Sequence, residues 1–199
     1  MKRAYFHHSI KDYLKELSSD RPTPGGGGTS ALVAALGISL AIMVARISLK
    51  RLDRNKQKSL KKGIKLLEHL RRDAEEIIDL DPKVYREVMA SYTKLKQSGK
   101  TPKAQADVEA TLQNSFRLQA DLTLLIAMAK QLLSTIDAFA KGSIRNDLIV
   151  SSGLLDGAFK GAVATARINV VYMKPGKTKR HCEQALRKVE QKYRKLKFE

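Results

Sequence analysis

From Pro22 to Ala45 the chain carries no charge, and four of the first seven residues of that stretch are glycine. Each glycine loses maximal backbone freedom on ordering, so Gly25, Gly26, Gly27 and Gly28 are expected as a turn rather than as helix. Thr29 or Ser30 then caps the helix that follows. A glycine turn feeding a helix N-terminus leaves backbone N–H groups at the positive end of the helix dipole, a place for a carboxylate or phosphate. A flexible lead-in loop is the plainer alternative. The helix beyond is apolar on all sides. Leu32, Leu36, Leu40, Met43 and Ile47 form one row, and Val33, Ile38, Ile42 and Val44 fill the rest. Such a helix is buried in a core or in a bilayer. The uncharged run stops at Arg46, marginal against the roughly 20 residues a bilayer needs. Ala34, Gly37, Ala41 and Ala45 would let another helix approach closely, so the segment reads as a central core helix, with a subunit interface as a second use of the same small residues.

The rest of the chain supplies partners for that helix. Phe6, Ile10, Tyr13, Leu14 and Leu17 lie at helical spacing before the glycine turn. Leu60, Ile64, Leu67, Leu70, Ala74, Ile77 and Ile78 form a second stripe whose outer face is crowded with Lys and Arg. Asp81-Pro82 is read as the start of a further helix, with Asp as N-cap and Pro at the first position. Val84, Tyr85, Val88, Met89, Tyr92 and Leu95 give its inner face, and the loop around Gly99 ends it. A long helix is expected from about Lys103 to Ala140, another from Ser143 or Asn146 to Met173. A last one carries Cys182, Leu186, Val189, Tyr193 and Leu196 along a regular seam. No segment alternates with period two. The expectation is an all-α, single-domain bundle of about six or seven helices around a buried central helix, spanning residues 1–199, a size one core can reach.

With 38 Lys and Arg against 20 Asp and Glu, the formal net charge is +18, which favours anionic partners. The start turns polar at once and offers no signal-peptide core. The single cysteine excludes an internal disulfide and fits a reducing compartment. Cys182 reads as a small core hydrophobe. His7 and His8 are adjacent and cannot share a helix face as a metal pair. Gly153, Gly157, Gly161, Thr165 and Asn169 recur every four residues. Since interior glycine costs about 1 kcal/mol each, something is expected to come close there, a helix backbone or a flat ligand. Asp147 has a plain reading as a first-turn acid favoured by the helix dipole, and Asp156 with Lys160 as an exposed i, i+4 pair. The phosphate-loop and dinucleotide fingerprints are missing, and so is any Cys/His metal spacing.

Three segments together resemble the formiminotransferase-cyclodeaminase C-terminal family, which includes stand-alone methenyl-tetrahydrofolate cyclohydrolases. The run from Pro24 to Ala45 is similar to the family's glycine-rich opening. Asp81 to Met89 is similar to its Asp-x-x-Ala-Phe-x-x-Val-Met segment, with Tyr85 at the Phe. Asn146-Asp147 followed by Arg167-Ile168-Asn169-Val170 is similar to its closing motif. Gly28, Asn146, Thr165 and Val88 replace residues common in the family. The resemblance implies an all-helical, cytoplasmic, metal-independent, commonly dimeric folate enzyme. It would hydrolyse methenyl-tetrahydrofolate or cyclodeaminate formimino-tetrahydrofolate, with the folate as substrate and no metal. On that basis Asp147 and Asp81 are candidate acid–base or orienting groups. Asn169 and Thr165 would contact the pterin edge, Asn146 is a further substrate-binding candidate, Tyr85 would stack or hydrogen-bond, and Gly25 to Gly28 would line the pocket and hold the folate's anionic tail. The alternative is a scaffold of the same fold without the chemistry, binding nucleic acid or another acidic partner through its basic face. No aromatic residues interleave the basic runs as a stacking platform, so a weak, non-specific polyanion contact is the most that is expected, and no membrane partner.

Overall fold

In the computed structural model, residues 4–99, 101–196 and 198 are described, and they are all-α. Lys100 and Lys197, which belong to the loop and basic run read above, lie outside the described residues. A 3-10 turn, Tyr5–His7, precedes α1 (Ile10–Leu17), α2 (Gly26–Leu49), α3 (Arg54–Gln97), α4 (Pro102–Asp137), α5 (Ile144–Tyr172) and α6 (Lys177–Tyr193). Helices α2 to α5 run up and down with short connections, and each packs on its two neighbours around one buried cluster, as in four-helix bundles. Helix α6 lies across α5 and α4. Cys182 is buried in that seam, as expected.

Helix α2 is central but not enclosed all round. Ile38, Ala41, Val44 and Ala45 are fully buried, whereas Leu36 is 52% and Met43 39% exposed. By length and composition α2 and α5 are each apolar enough to cross a bilayer, and about half of each such stretch is buried inside the bundle. Their close approach depends on Gly37, where an added Cβ would sit 3.2 Å from Leu154, Leu155 and the Ser151 carbonyl. The Ser151 hydroxyl donates to the Gly37 carbonyl at 2.7 Å across the same contact. On α5 only Gly161 of the expected glycine row meets a neighbour, the Ser30 hydroxyl. Gly153 and Gly157 face open space. The close packing therefore comes mainly from the α2 side.

Two boundaries differ from the sequence reading. Asp81-Pro82 does not start a helix: α3 runs unbroken through it, with Pro82 buried inside. Proline lacks the N–H that would bond the Ile78 carbonyl one turn back. That carbonyl instead lies against α2, where a Cβ on Gly28 would be 3.2 Å away. The neighbouring helix thus covers the gap that would otherwise end α3. The glycine run also differs, since Gly26, Gly27 and Gly28 form the first turn of α2 and Gly25 is its N-cap. Thr29 and Ser30 do not cap it; their hydroxyls donate back to the Gly25 and Gly26 carbonyls, at 2.8 and 2.7 Å.

Two further expectations are corrected. In α1 only Tyr13 is buried, with Ile10 81% and Leu14 57% exposed, so the N-terminal stripe is mostly uncovered. Asp156 does not pair with Lys160. It accepts both from the buried Lys130 ammonium, 2.9 Å to each oxygen, and from the Tyr193 hydroxyl at 2.8 Å. Burial of Lys130 accounts for the choice, because an interior ammonium without a counter-charge is costly.

Candidate functional site

The site follows from a difference in length. At 1.5 Å per residue the 24 residues of α2 span about 36 Å and the 44 of α3 about 66 Å. Helix α3 therefore runs past the start of α2, and Asp81 comes level with the glycine turn. Its Oδ2 accepts the Gly28 N–H at 2.9 Å, and its Oδ1 accepts an Nε2 hydrogen of Gln119, from α4, at 2.8 Å. Asp81 thus does the work of a capping side chain for the first turn of α2, whose N-cap Gly25 has none, rather than for its own helix. The carboxylate site that the glycine turn offers is filled by the chain's own Asp81, and a folate tail is not needed to satisfy it. Only glycine fits at position 27, where a Cβ would fall 2.1 Å from Asp81 Oδ1 and 2.3 Å from Gln119 Nε2.

Burial pushes the Asp81 carboxyl above its ordinary range, and the hydrogen bonds from Gly28 and Gln119 pull it partly back. Gln119 is fully buried, and its Oε1 has no hydrogen-bond partner among the described residues. The Tyr13 hydroxyl, 3.2 Å from Thr29 Oγ1, ties α1 to the turn. Burial raises the Tyr13 pKa, and the Asp81 charge adds to the shift.

Beside this cluster opens a cavity of about 410 Å³, within the size of small-molecule sites. The turn contributes Pro22, Thr23, Gly25, Gly26 and Gly27 to its wall; α3 contributes Asp81, Tyr85, Val88, Met89 and Tyr92. Leu112 and Ser115 come from α4, and Thr165, Ile168, Asn169 and Tyr172 from the last turns of α5. Asp81 is the only formally charged residue among the described lining. Asn169 donates to the Thr165 carbonyl at 2.9 Å, which fixes its amide and leaves Oδ1 outside that bond.

The structure thus brings together Gly25, Gly26, Gly27, Asp81, Tyr85, Thr165 and Asn169. Gly28 stands behind the wall and acts through its amide. Asn146 and Asp147 are not brought to the cavity. They occupy the first turn of α5, about 27 Å along the helix from Thr165 and about 33 Å from Asn169. Equal phase on one helix face does not make two residues neighbours when five turns separate them.

Sequence reasoning missed Ser115, Tyr92, Tyr172 and, most of all, Gln119. The signal for Gln119 was present: it occupies a core position of the α4 stripe between Phe116 and Leu122, where a polar side chain needs a partner. Among the described residues no group of three or more His, Cys, Asp or Glu is placed to hold a metal ion.

The formiminotransferase-cyclodeaminase family profile matches residues 9–188. The methenyltetrahydrofolate cyclohydrolase of Methylorubrum extorquens is 26% identical over 167 residues, covering 82% of this chain and 78% of that protein. The crystal structure of formiminotetrahydrofolate cyclodeaminase from Thermotoga maritima superposes with a TM-score of 0.73 at 19% identity, covering 96% of this chain and 92% of that one.

Proposed function

Because the chain belongs to the formiminotransferase-cyclodeaminase family, we propose that its cavity binds a folate carrying a cationic one-carbon bridge and that the protein hydrolyses methenyl-tetrahydrofolate to formyl-tetrahydrofolate. The observation that carries this is the charge of the cavity. A lone carboxylate, Asp81, stands in a wall otherwise made of glycine, hydroxyl, amide, tyrosine and aliphatic groups. Such a wall suits a flat ring system bearing a single positive charge, and would suit a phosphate poorly.

The methenyl carbon lies between two nitrogens that share the positive charge. Water adds to that carbon through an oxygen lone pair, and Asp81 accepts the proton that water loses. The bond from the carbon to one nitrogen then breaks, its electron pair stays on that nitrogen, and Asp81 returns the proton there. The formyl group remains on the other nitrogen, and one proton is released overall as the cationic charge is lost. A carboxyl raised towards neutrality by burial is suited to both halves of this transfer. Tyr85, Thr165 and Asn169 orient the ring. The related cyclodeamination of formimino-tetrahydrofolate uses the same carbon. It is the second choice, because the cyclohydrolase relative is 26% identical and the cyclodeaminase 19%.

The test is loss of methenyl-tetrahydrofolate absorbance at matched folded concentration. Asp81→Asn is expected to lower the rate about a hundredfold to ten-thousandfold, the usual cost of a positioned acid–base group. Asp147→Asn should leave the rate unchanged and cost only about 0.3–1 kcal/mol of stability, through the helix dipole. Parent protein no faster than buffer would refute the enzyme reading. Equal loss in both variants would refute the assignment to Asp81.

A further inference from the structure

We propose that Gln119 is the positioning residue of this site, holding the Asp81 carboxylate in place and turning its own amide over when Asp81 takes up a proton. The inference rests on the reading of Asp81 as the proton-transfer group. Gln119 is fully buried and points its Nε2 at Asp81 Oδ1, 2.8 Å away, while its Oε1 is buried with no partner among the described residues. An interior amide with one end bonded and the other empty is poorly satisfied. A half-turn of the amide exchanges its two ends, bringing Oε1 to Asp81 and carrying Nε2 to the unpartnered side. Oε1 then faces Asp81 and accepts a proton carried on Oδ1, whereas the present orientation would set N–H against O–H. The amide's nitrogen and oxygen ends are nearly the same size, so the turn requires little repacking. The Gly28 amide stays on Oδ2 throughout and keeps the carboxyl in register.

The surroundings leave this role to Gln119. The groups facing Asp81 are Tyr13 from α1, the Gly28 N–H from α2, Gln119 from α4 and, one turn along its own helix, Tyr85. From α5, Thr165 and Asn169 share the cavity and do not titrate. Among the described residues no cation pairs with Asp81, and hydrogen bonds alone oppose the effect of burial. At position 27 there is no side chain to intervene, because the space is taken by the Asp81–Gln119 contact itself.

The experiment reads Asp81 directly, without turnover. In the unliganded protein, the carboxyl ¹³C shift of Asp81, assigned through Asp81→Asn, is followed against pH for the parent and for Gln119→Met. Methionine keeps the length of the side chain and removes the donor. The midpoint is expected to rise by about one pH unit, a tenfold change in proton affinity, the size of one lost charge-assisted hydrogen bond. In the parent, the Gln119 side-chain amide resonance should titrate with the same midpoint as Asp81, and this response should vanish in Asp81→Asn. An unchanged Asp81 midpoint in folded Gln119→Met overturns the proposal. So does a Gln119 amide that ignores Asp81's titration, a measurement that stands even if Gln119→Met does not fold. Shifts as expected in a parent without turnover would support the positioning role and remove the substrate assignment alone.

Discussion

Asp81 accepts two N–H donors, yet burial still holds its carboxyl above the ordinary range, so its charged form costs the fold stability. The sign is opposite to that of a salt-bridged aspartate. A folded pKa above the unfolded one gives a contribution that is full below the ordinary carboxylate range. That contribution is lost as pH rises through the raised folded value. Asp81→Asn should therefore be at least as stable as the parent in urea unfolding at pH 7, with its advantage shrinking as pH falls towards 4. A large destabilisation at pH 7 would mean that the charge stabilises the fold. The sequence made Asp81 conspicuous, since Asp before Pro is a capping pair, but capping chemistry does not say whose amides are capped. That depended on α3 and α2 lying side by side, a tertiary fact. Gln119 was harder to find, because the sequence shows a polar residue on a core stripe without showing its partner.

At the level of elements, the periodic stripes located α4, α5 and α6 to within a few residues, because their apolar faces are the faces that pack. Pro82 misled because Asp-Pro is a helix-start pair, whereas α3 continues through it with the Ile78 carbonyl packed against Gly28 of α2. Of the two neighbours expected for the glycine row of α5, a helix is met at Gly161, by Ser30 of α2. Among the described residues a Cβ added at Gly153 or Gly157 would meet nothing, and these glycines lie beside Leu154 and Leu155, which contact Gly37. Beside them Ile149, Val150 and Leu36 are each about half exposed. An exposed apolar strip built around small residues suits a second helix pair arriving at close range. A homodimer through this face is the expected state in light scattering at micromolar concentration, and Gly153→Glu should convert it to monomer without loss of helical circular dichroism. A monomeric parent would leave the strip without this role.

At the scale of the whole molecule, charge and cavity are segregated. Between Arg46 and Lys65 there are nine Lys and Arg against one Asp. These residues occupy the end of α2 and the start of α3, while the cavity lies at the other end of α2. Arg46 pairs with Glu68 and Lys56 with Asp53, but Arg54, Lys58, Lys61, Lys62 and Lys65 project from exposed positions of one helix. Cations so spaced meet phosphates, and no aromatic side chain is interleaved between residues 46 and 65 to stack on bases. Binding to duplex DNA should therefore be independent of sequence. If six or more phosphates are contacted, it should weaken by about a thousandfold or more between 50 and 200 mM salt. Paired reversal of Lys58 and Lys62 to Glu should abolish it at low salt and leave methenyl-tetrahydrofolate hydrolysis unchanged, since about 28 Å of α3 separates Lys62 from Asp81. Sequence-selective binding that persists at physiological salt would instead favour a scaffold whose business is nucleic acid. Saturating DNA that slowed hydrolysis would show that the two ends of the bundle are coupled. Neither result is expected from a bundle whose Asp81 carboxyl is enclosed by its own helices while the cations at the far end of α2 and the start of α3 face water.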